Sequence, residues 1–172
     1  GDTRANRFER GLKLLEAIEC PLVIGDIPDA SEAKDGMLSD EEVPDLAEIE
    51  AANARLRAWA GERKNVAIFP VAAFMKSANA NESISVHQTA LKAGSTRALL
   101  QDDRLHPTRL GCSALALGLL DALIKLDPRF SSAGVNWDLE AVQKAVAAAK
   151  PSATPAAVKK TPVLKPEPVT AP

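Results

Sequence analysis

Cysteine is scarce in this chain, and it has neither a long apolar run nor a large excess of charge of one sign. Its two cysteines, Cys20 and Cys112, are too few for a disulfide framework and lack the close CxxC spacing of a zinc or redox site. Each reads as a small buried apolar residue. No stretch of roughly 18 consecutive apolar residues occurs, so no segment is expected to span a bilayer. Acidic and basic residues are interspersed and the net charge is −2. That balance leaves no basic stripe to follow phosphates and no polybasic segment to hold an anionic membrane, so nucleic acid is not an expected partner.

What remains is 172 residues with 46% apolar content, enough for one domain with a real core plus a tail. The sequence opens at Gly1 without a methionine, in what already reads as the approach to a helix. A removed leader or a longer parent chain is the expectation, and no signal peptide is left to indicate a compartment.

Apolar residues at Phe8, Leu12, Leu15 and Ile18 fall on one face of a helix expected between Thr3 and Glu19. Leu22, Val23 and Ile24 then run into Gly25 and Asp26, the pattern of a short strand buried on both faces. Residues 27–45 hold Pro28, Pro44, Gly36 and seven acids, and read as a long loop with at most a helical turn. Leu46, Ile49, Asn53, Leu56 and Trp59 mark a second helix whose amino end carries Asp45 and Glu48, and Trp59 is placed on its core side. Val66 to Phe69 is a second strand. Helix, strand, helix, strand is the alternation of α/β units with parallel neighbouring strands.

Residues 77–93 are polar and weakly patterned, with Asn79, Asn81 and Ser83 suggesting a surface loop in which His87 is solvated. A long apolar helix is expected from Pro107 to Leu126, ended by Pro128, and an amphipathic one from Asp138 to Ala149, capped by Asn136 or Asp138. From Lys150 onward lie half of the 12 prolines and no aromatic residue, a composition that cannot bury enough apolar surface to fold. The expected organisation is therefore a folded region over 1–149 and a disordered Pro/Ala/Lys tail or linker over 150–172.

General-base chemistry near neutral pH has two candidates, His87 and His106. Pro107 suits the first position of a helix, which puts His106 at the helix amino end. Asp103, three residues earlier, is close enough in a tight turn to accept the Nδ1 proton of His106 and leave Nε2 for a nucleophile's proton. Capping of the turn and helix by the same two residues is the structural alternative. Asp102, Asp103 and His106 do not suit a metal, because adjacent aspartates in an extended segment point to opposite sides. Ser31 and Ser39 read as loop serines, and Ser113, inside the last long helix, should bond a carbonyl one turn back.

The segment DDRLHPTRLG, Asp102 to Gly111, resembles the final block of the SGNH/GDSL hydrolases, where Asp-x-x-His-Pro-Ser/Thr precedes a terminal helix and a glycine follows. PLVIGDIPD, the helix with Asn53, Arg55, Leu56 and Trp59, and the strand NVAIFP resemble the second half of that family's sheet. The resemblance covers roughly residues 8–127. It implies an α/β fold, a mostly parallel sheet flanked by helices in the flavodoxin-like three-layer manner, of which this chain supplies part. It implies hydrolysis of an ester or related acyl bond, with His106 as general base, Asp103 orienting it, a small-molecule ester or acylated substrate, and neither cofactor nor metal.

The family's Gly-Asp-Ser nucleophile block and its Gly-x-Asn-Asp block are both missing from this sequence. Gly25-Asp26-Ile27 imitates the first two letters of the former, but Ile27 has no nucleophilic atom, so the pair reads as a strand-end turn. The expectation is that nucleophile and oxyanion donors precede Gly1. The alternative is a noncatalytic binding or scaffold domain in which Asp103 and His106 only cap a helix.

Overall fold

The structure, a computed structural model, describes residues 2–33, 38–87 and 89–148. The segment 150–172 and part of the acidic loop therefore lie outside the described residues. The first helix, α1 (Arg4–Leu15), starts at Thr3, whose hydroxyl accepts the Asn6 N–H at 3.2 Å. Strand β1 (Leu22–Gly25) follows, then a single 3₁₀ turn (Ser31–Ala33) in the acidic loop. Helix α2 (Leu46–Gly61) is capped by Asp45, whose carboxylate accepts the Glu48 N–H at 2.7 Å. Strand β2 (Val66–Phe69) lies parallel to β1, with Leu22 opposite Val66 and Gly25 opposite Phe69.

Strand alternation sorts the side chains of this sheet between two helical layers. Leu22, Ile24, Val66 and Ile68 pack with Phe8, Leu12 and Leu15 of α1 and with Leu56, Trp59 and Ala60 of α2. Trp59 is among the most deeply buried side chains, as its place on the α2 stripe predicts. Phe69 points the other way, against Gly118 of the helix α4 (Arg109–Leu126). A Cβ at Gly118 would sit 2.5 Å from the Phe69 ring, so glycine lets this helix close onto the sheet. Helices thus cover both faces. Strand β1 is only half-buried along its length, because within the described residues its one partner is β2.

Between β2 and α4 the chain departs from the sequence expectation. The polar segment is not a surface loop: α3 (Val71–Asn79) runs directly from β2, and β3 (Ile84–Val86) pairs antiparallel with β4 (Thr89–Leu91). The start of α3 carries no local cap. Asp26, at the end of β1, accepts the Ala72 N–H at 2.7 Å instead, so the signal for this helix lies 46 residues upstream. Several of the segment's polar groups are tied down rather than solvated. Asn81 accepts the Arg97 N–H at 3.0 Å, and the buried Thr96 hydroxyl donates to the Glu82 carbonyl at 2.6 Å. Ile84 and Val86 point into a second core with Phe74, Leu99, Ala114 and Leu117.

Helix α4 begins two residues later than expected. Thr108 is its cap, accepting the Gly111 N–H at 3.2 Å, so Pro107 precedes the helix instead of opening it. Helix α5 (Leu139–Ala148) is capped by Asp138, which accepts the Glu140 N–H at 2.9 Å, and it seats Leu139 in the second core. Both cysteines are exposed rather than buried. Among the described residues, no helix is long and apolar enough to cross a membrane.

Candidate functional site

The segment before α4 folds back on itself. Leu100 and Pro107 form an antiparallel bridge, and the Gln101 N–H donates to the His106 carbonyl at 2.8 Å, so residues 102–105 form a closed turn. Arg104 sits at its tip with φ of 60°, a left-handed conformation that a side chain adopts only when held there. The Asn79 amide holds it by donating to the Arg104 carbonyl at 3.2 Å, and the Arg104 guanidinium pairs with Glu32 in the loop after β1. The turn is thereby fastened to the segment that leaves the carboxyl end of β1, the edge where open α/β sheets bind ligands.

Inside the turn the structure brings Asp103 and His106 together. Oδ2 of Asp103 lies 2.9 Å from Nδ1 of His106, and Oδ1 accepts the N–H groups of Leu105 at 3.0 Å and His106 at 2.9 Å. These bonds, the Leu105 N–H first, then the His106 N–H and the ring, hold the carboxyl below its ordinary value. An ionised Asp103 fixes the imidazole with its proton on Nδ1, which leaves Nε2 as an acceptor. The His106 side chain is about half exposed, 49%, against 22% for Asp103. Beside it, a hollow of about 590 Å³ is bounded by Pro107, Thr108, Cys112 and Val142, and the imidazole is not part of its wall.

Backbone approach fixes this turn against α4. Thr108 donates its N–H to Leu99 at 2.8 Å and its hydroxyl to Ala98 at 2.7 Å. A Cβ on Gly111 would meet the Leu99 carbonyl oxygen at 2.0 Å, so only glycine permits the contact. Each residue of the Thr108-x-x-Gly111 pattern thus has a mechanical reason to be where it is.

The serines weighed in the sequence have structural partners. Ser31 donates to Asp29 at 3.0 Å, Ser39 to Glu42 at 2.9 Å, and Ser113 to the Arg109 carbonyl at 3.0 Å, the bond expected one turn back. Gly25 closes β1 and Asp26 caps α3, consistent with a strand-end turn. Among the described residues no three His, Cys, Asp or Glu side chains gather as a metal would need.

His87 is not the solvated residue that its polar surroundings suggest. Its Nδ1 lies 2.7 Å from Oδ1 of Asp121 on α4, and its ring stacks on Trp137 at 3.9 Å between centroids. Asp121 is 34 positions away, so no spacing rule reveals the pair. Burial pushes the Asp121 carboxyl up, but hydrogen bonds from Lys125 and His87 outweigh it and leave the group below its ordinary value. Comparison with known proteins finds no family model, no curated protein and no solved structure that matches this chain.

Proposed function

We propose that this chain is the carboxyl-terminal part of an SGNH-type, flavodoxin-like three-layer domain whose whole protein hydrolyses an ester or related acyl bond through a serine. The observation that carries the reading is the Asp103–His106 pair, with the carboxylate 2.9 Å from Nδ1 and the ring half exposed. His106 Nε2 takes the nucleophile's proton and returns it to the leaving alcohol, while Asp103 holds the ring and its tautomer and stabilises the imidazolium. Helices on both faces of a parallel strand pair support the three-layer reading, and the half-buried β1 supports a sheet that continues beyond these strands. The serine belongs to a Gly-Asp-Ser block that the resemblance places before Gly1. The substrate is a small ester or acylated molecule.

The test is made on the full-length gene product. His106→Ala should lower hydrolysis of a short-chain aryl ester by at least about 10³-fold with the fold intact by circular dichroism, because base and nucleophile act as a unit. Asp103→Asn should cost as much or less, through the wrong tautomer. The 172-residue chain alone should give no burst of acyl-enzyme. Undiminished hydrolysis in His106→Ala, or a reading frame without the Gly-Asp-Ser block, sinks the proposal.

One observation favours a second reading, a noncatalytic scaffold. Asp103 Oδ1 accepts two backbone N–H groups of its own turn, which is what a turn-capping aspartate does without any catalytic duty.

A further inference from the structure

We propose that a cavity between β2, β3 and α4 binds a small molecule built of a compact apolar body carrying one hydroxyl group. The cavity measures about 480 Å³, within the range of small-ligand sites. It lies apart from the Asp103–His106 turn, and this inference is independent of the hydrolase reading.

Its two ends differ in chemistry. Ala67, Phe69 and Leu126 supply an apolar wall, while His87, Asp121 and Lys125 form the polar end. The polar end is internally ordered. Asp121 spends one oxygen on His87 Nδ1 at 2.7 Å and the other on Lys125 Nζ at 2.7 Å, so its charge is answered within the cluster. Stacking on Trp137 fixes the plane of the imidazole. In the neutral imidazole with Nδ1 donating to the carboxylate, Nε2 carries a lone pair, and the Lys125 ammonium keeps hydrogens beyond the one given to Asp121.

An acceptor and a donor in the lining of one open, partly apolar hollow match a hydroxyl, which donates to Nε2 and accepts from Nζ. A carboxylate ligand would meet Asp121 as well as Lys125 there, so the cluster offers it no net attraction. A pure hydrocarbon would leave the largely covered His87 nitrogen without a partner and lose the energy of its desolvation. The chemical class is therefore a phenol or a small cyclic or branched alcohol.

The experiment titrates the chain with p-cresol, with toluene as its match lacking the hydroxyl, and with benzoate, while recording nitrogen–proton NMR spectra. We expect p-cresol to shift the His87 ring and Trp137 indole signals saturably, with Kd at least about tenfold below that of toluene. His87→Phe keeps a ring against Trp137 but removes both nitrogens, and should erase the preference for p-cresol. Should that variant fail to fold, Ala122→Phe, which fills the cavity from α4, should abolish binding of both probes. Equal affinity for p-cresol and toluene, tighter binding of benzoate, or no saturable shift at His87 and Trp137 overturns the proposal.

Discussion

At Asp103 a single carboxylate serves two partners, one oxygen taking backbone N–H groups and the other the His106 ring. Those bonds favour the ionised form, so its folded value lies below the usual 3.8. Stabilisation from such a group is fully present above the unfolded value and is lost as pH falls through the lower folded one. The turn should therefore stay ordered at pH 4 and open only in more acidic solution. Carbon NMR of the Asp103 carboxyl checks this: a titration midpoint at or above 3.8 would show that the turn does not hold the anion. Asp103 and His106 were legible because their partners lie within three residues, a distance over which sequence and geometry coincide. His87 was not, since the carboxylate that engages it arrives on another helix.

Elements were legible in proportion to how locally they are specified. Helices α1 and α2 announce themselves by apolar stripes and by caps at Thr3 and Asp45 in their own first turns. Helix α3 has its cap on another strand, and β3 and β4 are three residues each, too short for alternation to register. The start of α4 is displaced because Thr108 is the residue that caps it, accepting the free Gly111 N–H of its first turn. This helix also supplies a sharp test. Gly111→Ala would drive a methyl into the Leu99 carbonyl, 2.0 Å from the ideal Cβ, and backbone there cannot yield cheaply. The expected cost is about 1–3 kcal/mol in urea unfolding, the range for overpacking. The Thr108 amide, bonded to Leu99, should lose hydrogen-exchange protection in the same variant. A neutral substitution with unchanged protection would mean that the turn and helix are not in contact.

At the scale of the whole molecule, the described residues hold two apolar cores, one between α1, α2 and the parallel strands, the other among α3, β3, α4 and α5. The sequence conveyed the first, whose elements follow one another in simple alternation, and of the second only α4 and α5, not α3 and the β3–β4 pair, which are short or distantly capped. Leu12 and Leu117 belong to different cores, so Leu12→Val and Leu117→Val, each costing about 0.5–1.5 kcal/mol, should add within about 0.5 kcal/mol. A double-mutant cycle with coupling above about 1 kcal/mol would show that the two behave as one. The Arg104–Glu32 ion pair joins the turn to the loop after β1, and both side chains are about half exposed, 49% and 47%. Charges so open to water are screened when ionic strength rises, since the Debye length shrinks from about 10 Å at 0.1 M to about 3 Å at 1 M. Concentrated salt should thus uncouple that loop from the turn while leaving the neutral hydrogen bonds that form the turn, making the dissolved electrolyte a control on how firmly the turn that carries His106 is tied to the segment after β1.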